Sequence, residues 1–154
     1  RLAFSYVKDK ETAKDIVQNT FIKAYENLDS FRHEASFKTW LYRITINLCK
    51  DYLRSWHYRM VQTKSILENT MKTVLPVTEE IVIQKSESEV IRGFLFTLPQ
   101  KYREVIYLYY YKSLSLAEIA EVTGLNLNTV KTRLRRGKEK LKTLIEEAGI
   151  YGEV

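Results

Sequence analysis

One cysteine, two histidines and two prolines are all that 154 residues hold of these types, and each scarcity closes a route. Cys49 alone cannot close an intramolecular disulfide, and His33 and His57 do not form a spaced zinc-ligand set, so no metal or cofactor is expected. A reducing, cytoplasmic setting fits such a chain. Long apolar runs are missing too: the stretch from Val105 to Tyr111 breaks at Lys112, far short of the roughly 20 residues that cross a bilayer. Membrane insertion is not expected. The chain begins at Arg1, and Leu2 to Val7 reads as the second half of a helix, so it is expected to be a piece of a longer protein.

What the sequence does hold is 45% hydrophobic residues, enough for one medium domain or two small ones, and a net charge of +6. The position of that charge says more than its size. Between Asn128 and Lys142 stand Lys131, Arg133, Arg135, Arg136, Lys138, Lys140 and Lys142 against a single acid, Glu139. A solvated helix face normally intersperses acids; this one barely does, and nucleic acid is the expected partner.

Periodicity predicts an all-α chain of two small helical domains, residues 1–59 and 87–154, joined by a linker at 60–86. After a turn at Asp9 to Thr12, Ala13, Val17, Phe21, Ala24 and Leu28 recur at spacings of three and four and predict a helix with that line in its core. A polar loop spans Asp29 to Ser36. Phe37, Leu41, Ile44, Leu48 and Tyr52 then define a second long helix. The segment 60–86 contains Pro76 and runs of Thr, Glu, Lys and Gln; flexible tether and spacer with nascent helices fit it equally. As a flexible chain its reach would be roughly 25 to 30 Å.

The second domain opens with a helix at Glu87 to Leu98, and Pro99 restarts the chain at a first-turn position. The next helix is expected to turn Tyr102, Val105, Ile106 and Tyr109 inward and to end near Lys112. Ser115 and Glu118 have capping-box spacing, Gly124 stops that short helix, and Asn126 suits the N-cap of the last. In the last helix Leu127, Val130, Leu134, Leu141 and Leu144 line one side, with Gly137 filling a slot in the same line.

Ser115 to Lys140 is thus a helix, a Gly-containing turn and a second helix, the spacing of a helix-turn-helix. Opposite the apolar line stand Asn128, Thr132, Arg135 and Arg136, flanked by Thr129, Lys131 and Arg133. Short polar groups near the N-terminus can meet base edges in a major groove, and the longer cations beyond can meet phosphates. A helical pair used for protein contacts is the competing reading. A second basic edge lies in the first domain, where Arg43, Asn47, Lys50 and Arg54 recur at four, three and four residues. Phe31, Phe37, Trp40, Trp56 and Tyr58 border it; an aromatic in the Asp29 to Phe37 loop can stack on an unpaired base.

Three motifs appear in one order: Ala13-Lys-Asp-Ile-Val-Gln-Asn-Thr-Phe21, then Ser36-Phe-Lys-Thr-Trp-Leu-Tyr-Arg-Ile44, then Leu98-Pro99 through Val130-Lys-Thr-Arg-Leu134. Together they resemble the extracytoplasmic function group of sigma factors, within the sigma-70 family. The likeness spans nearly everything except the linker. Asn19 departs from the pattern where the family usually carries an acid, and Asn126 where many members have proline.

The resemblance implies a region 2 helical bundle followed by a region 4 four-helix domain that carries the helix-turn-helix. It implies that Asp15, Gln18, Asn19 and Phe21 dock on core RNA polymerase. Phe31, Arg32, Phe37 and Asn47 would capture a flipped base of the minus-ten element, with Arg43, Lys50 and Arg54 on the backbone nearby. Asn128, Thr129, Lys131, Thr132, Arg133, Arg135 and Arg136 would read the minus-thirty-five duplex. Promoter DNA, core polymerase and a membrane-linked anti-sigma factor are the implied partners, and no catalytic group is needed. Two alternatives are a helix-turn-helix regulator acting without polymerase and a nucleic-acid enzyme. The first leaves half the chain unexplained, and the second needs a carboxylate cluster or an activated nucleophile.

Overall fold

The computed structural model describes residues 1–63 and 86–150, and every regular element among them is helical. Helix α1 (Leu2–Val7) buries Leu2, Ala3, Ser5 and Tyr6 and ends at Lys8, whose φ of 56° is left-handed. Helix α2 (Lys10–Glu26) starts where the Asp9 carboxylate accepts from the Thr12 N–H at 2.9 Å. Its buried line is Ala13, Ile16, Thr20 and Ala24, which corrects the expected one. Val17, Phe21 and Leu28 point to solvent. The reason is steric: small residues along the buried line let α1 and α3 approach closely, and the bulky apolar side chains are left on another face.

Helix α3 (Phe37–Thr63) runs past the expected boundary at residue 59. Thr39, Thr45, Ile46 and Cys49 are buried; Leu41, Ile44, Leu48 and Tyr52 are half-buried, and Phe37 is exposed. The rest of the expected linker, 64–85, lies outside the described residues, as do 151–154.

The second half begins with α4 (Glu87–Thr97), where the Ser86 N–H donates to the Glu89 carboxylate at 3.2 Å. Helix α5 (Gln100–Ile106) follows Pro99, which takes the N-cap. It continues into a wide π turn over Tyr107–Tyr111, closed by the Lys112 N–H on the Tyr107 carbonyl at 3.2 Å. The extra residue breaks the 3.6-residue register, so Tyr107 and Leu108 are buried and Tyr109, expected inside, is exposed.

Helix α6 (Leu116–Thr123) carries the expected capping box, with the Glu118 N–H on Ser115 Oγ at 3.1 Å and the Ser115 N–H on the Glu118 carboxylate at 3.3 Å. Gly124 ends it at φ 73°, a conformation that suits glycine. Asn126 Oδ1 accepts from the Thr129 N–H at 2.8 Å and starts α7 (Leu127–Glu147).

The two halves share a core. Leu2, Tyr6, Ile46 and Cys49 of the first belong to one apolar cluster with Val105, Leu108, Ile119 and Val130 of the second. Helix α1 packs on α5, and α3 packs on α6.

A polar seam crosses the same contact. Buried Glu104 accepts from the Tyr6 hydroxyl at 2.6 Å and pairs with Lys50 Nζ at 3.0 Å. Its neighbour Arg103, only 4% exposed, donates from Nε to the Ser5 carbonyl at 2.7 Å and from Nη1 to the Leu98 carbonyl at 2.9 Å. Burial pulls the Arg103 guanidinium below its ordinary value. Burial, and then Glu104 beside it, hold the Tyr6 hydroxyl well above its own, so it stays a donor.

Cys49 is fully buried, and desolvation pushes its thiol up to about 12. At pH 8 about one molecule in ten thousand would carry the thiolate. The folded chain should therefore resist a thiol-specific reagent at pH 8 and react in denaturant; rapid modification of the folded chain would contradict this burial. Cys49 and Tyr6 both keep protons that the unfolded chain gives up at high pH, so stability is complete below about pH 8 and falls as pH rises through 9 to 12. Urea midpoints at pH 8 and 10 would show the drop.

Candidate nucleic-acid interface

Helix α7 is seated by Val130, fully buried, by Gly137 and by Ile145. The seating is close at Gly137, where a Cβ would meet Ile106 Cδ1 at 2.8 Å and Tyr102 Cβ at 3.2 Å. Locked in this rotation, α7 leaves Asn128, Lys131, Arg135 and Arg136 exposed, with Thr129, Thr132 and Arg133 half-buried beside them. The seven residues picked from the sequence thus share one outward side. Arg135 pairs with Glu139 at 3.0 Å, but both side chains are about 60% exposed, and such a pair is weak enough to exchange for a phosphate. Lys131, Arg133 and Arg136 form no ion pair with a described residue.

A depression of about 380 Å3 lies on this side, lined by Asn126, Asn128, Thr129, Thr132, Arg133 and Arg136. Lys101 and Tyr102 of α5 complete its wall, and Lys101 and Lys140 lie over the Tyr102 ring at 5.1 and 5.9 Å. Sequence reasoning missed Lys101, because only the packing of α5 on α7 brings it there.

The loop before α3 gathers its aromatics. Phe31 lies 5.1 Å from Trp40 and 5.6 Å from Phe37 between ring centroids, and Phe37 and Trp40 are 5.6 Å apart. His33 turns the loop at φ 58° and stacks on Phe31 at 4.5 Å, a contact its sequence position did not signal. Ser36 Oγ accepts from the Thr39 N–H at 3.1 Å and fixes the start of α3. Phe37 is 48% exposed, so the cluster presents an open ring face.

Along α3, Arg43, Asn47 and Arg54 are exposed, and Arg54 pairs with Asp51 one turn away. Arg32 is exposed on the loop. Lys50 differs. It is half-buried against the second half, bound to Glu104 and to the Thr123 carbonyl, the latter at 3.0 Å.

The third surface is on α2. Asp15, Gln18, Asn19 and Phe21 are all exposed. With them, Val17, Ile22, Tyr25 and Leu28 form an apolar strip on which Phe21 is 61% and Tyr25 83% exposed. Exposed apolar side chains in such number mark a protein contact. The side chains that periodicity assigned to the core are the ones that make this surface.

A helix-turn-helix beside a helical unit with an aromatic loop and an exposed apolar docking strip defines a DNA-binding factor that works on a protein partner. The Sigma-70 region 2 family model matches residues 1–58, and the Sigma-70, region 4 model matches residues 89–141. The ECF RNA polymerase sigma factor SigW of Bacillus subtilis is 37% identical over 96% of this chain and 82% of its own length. SigV of the same organism is 34% identical over 92% of this chain and 81% of its own. Among solved structures, the sigma factor RpoE in complex with the anti-sigma factor NepR from Bartonella quintana aligns with a TM-score of 0.74 at 23% identity, covering 94% of this chain and 88% of that one. CnrH in complex with the cytosolic domain of CnrY aligns at 0.64 and 27% identity, covering 95% and 79%. The chain belongs to the extracytoplasmic function group of sigma-70 family RNA polymerase sigma factors. That membership excludes the regulator acting without polymerase.

Proposed function

We propose that this sigma factor divides promoter recognition between its two halves and performs no chemistry itself. Helix α7 enters the minus-thirty-five major groove end-first: Asn128, Thr129 and Thr132 meet bases, and Lys131, Arg133, Arg135 and Arg136 meet phosphates. The Phe31, Phe37 and Trp40 cluster takes an unstacked minus-ten base with Asn47, while Arg32, Arg43, Lys50 and Arg54 hold the strand. Unstacking a base costs a few kcal/mol, and stacking returns roughly 1 to 3, so capture can drive opening without a catalytic group. Core polymerase docks on the α2 strip around Asp15, Gln18, Asn19 and Phe21. An anti-sigma partner, membrane-linked and met in the cytoplasm, is inferred from the complexes that its structural neighbours form.

The observation that carries the reading is the unpaired Asn128, Thr132 and Arg136 side of a helix whose rotation is fixed by Val130 and Gly137. Run-off transcription with core polymerase and a promoter library, sequenced at the products, tests it; initiation no more selective than core alone would refute it. Arg136→Ala should weaken duplex binding and flatten its log-log salt slope by about 0.9 for the one lost phosphate contact. An unchanged slope removes Arg136 from the interface. Asn47→Ala should leave polymerase binding intact and reduce permanganate reactivity at the promoter; normal reactivity removes Asn47 from the melting site.

A further inference from the structure

The basic edge of α3 is not uniformly open. By spacing, Lys50 belongs with Arg43, Asn47 and Arg54, yet it alone of the four is drawn into the seam between the halves. Two groups of the second half hold it: the Glu104 carboxylate at 3.0 Å and the Thr123 carbonyl, at the C-terminal end of the first helix of the helix-turn-helix, at 3.0 Å. Glu104 is in turn oriented by Tyr6, and Arg103 next to it ties Ser5 of α1 to Leu98. Phe4 and Phe96 close the far edge with ring centroids 5.5 Å apart.

We infer that Glu104, with Tyr6 and Arg103, is an intramolecular clasp that holds the free chain closed and competes with DNA for Lys50. The inference rests on the reading of Lys50 as a minus-ten contact. One ammonium cannot serve a buried carboxylate and a phosphate at once, so closure and strand capture exclude each other at this residue. A buried ion pair repays little more than its desolvation, which makes the clasp poised rather than locked. Polymerase, by holding the halves apart, would release Lys50 together with the aromatic loop. A chain whose competent state is a minority binds with an affinity reduced by that fraction, so weakening the clasp should raise the affinity of the free chain.

The test uses the full chain with two readouts: radius of gyration by small-angle X-ray scattering, and fluorescence anisotropy of a labelled single-stranded oligonucleotide carrying the promoter's non-template minus-ten strand. Glu104→Gln keeps the shape and removes the charge; Tyr6→Phe removes one donor and guards against a Gln variant that misfolds, as judged by circular dichroism. Each should enlarge the radius of gyration and tighten oligonucleotide binding about fivefold or more. The exchange Lys50→Glu with Glu104→Lys should restore the compact form without restoring DNA affinity. Unchanged dimensions and affinity in both single variants overturn the clasp. Lys50→Ala in the polymerase-bound complex separates the two ideas: normal minus-ten binding there refutes Lys50 as a DNA contact, whereas impaired binding there alongside no gain in the free Glu104→Gln chain refutes the clasp alone.

Discussion

Arg103→Ala should be among the most destabilising single substitutions available in this chain, lowering stability by about 3 to 5 kcal/mol. The guanidinium is almost fully buried and donates to backbone carbonyls rather than to a carboxylate. Its removal leaves the Ser5 and Leu98 carbonyls without this donor in the interior, at about 1 to 3 kcal/mol for each group left unsatisfied, and opens a cavity where the side chain packed. For a chain of this size the melting temperature should fall by roughly 10 °C. Arg103→Met separates the causes: it refills the volume and restores no donor, so it should recover only part of the loss. A shift below about 2 °C for the alanine variant would mean that water replaces the guanidinium at no cost and that the seam is softer than its distances indicate.

Gly137→Val should have the largest effect on DNA binding of any substitution outside the DNA-facing residues. A Cβ at 137 meets the end of the Ile106 side chain at 2.8 Å and Tyr102 Cβ at 3.2 Å. Ile106 Cδ1 can swing away, but Tyr102 Cβ is fixed to its backbone, so a branched side chain must push α7 off α5. Overpacking of this kind costs about 1 to 3 kcal/mol. It also moves α7 relative to Lys101 and Tyr102, which complete the DNA-side depression. Duplex affinity should drop at least tenfold while the α2 strip still binds polymerase. Gly137→Ala is the calibrating variant: the gain of about 1 kcal/mol from replacing a helical glycine opposes a contact that Ile106 can relieve, so stability should change little. Wild-type DNA affinity in the valine variant would mean that the seating of α7 does not set its reading geometry.

How much of this was legible in the sequence depended on whether local or tertiary forces decided the outcome. Caps were legible because their hydrogen bonds close within three residues: Asp9, Ser115, Gly124 and Asn126 all act as their spacing predicts. The DNA side of α7 was legible for a related reason, since Val130 and Gly137 fix one rotation of a regular helix and the polar residues follow. Helix α2 failed because it has two apolar faces, and periodicity cannot tell a core of small residues from a docking strip of large ones. Tyr109 failed because the π turn inserts a residue that no wheel at 3.6 residues per turn can place. Lys50 has the spacing of its neighbours, and only the approach of Glu104, far along the chain, distinguishes it.

The π turn carries a further consequence. One surplus residue sits within Tyr107–Tyr111, in a segment whose Tyr107 and Tyr111 rings stack at 5.2 Å. Deleting a single exposed tyrosine there would let the strand of peptide groups relax to ordinary α geometry, a local gain in hydrogen bonding. Everything downstream would be turned by about 100° about the helix axis, the angular step of one residue. The surplus residue therefore acts as an indexing tooth: it sets the azimuth at which the reading head is mounted, and shortening it would yield a well-formed helix aimed at the wrong side.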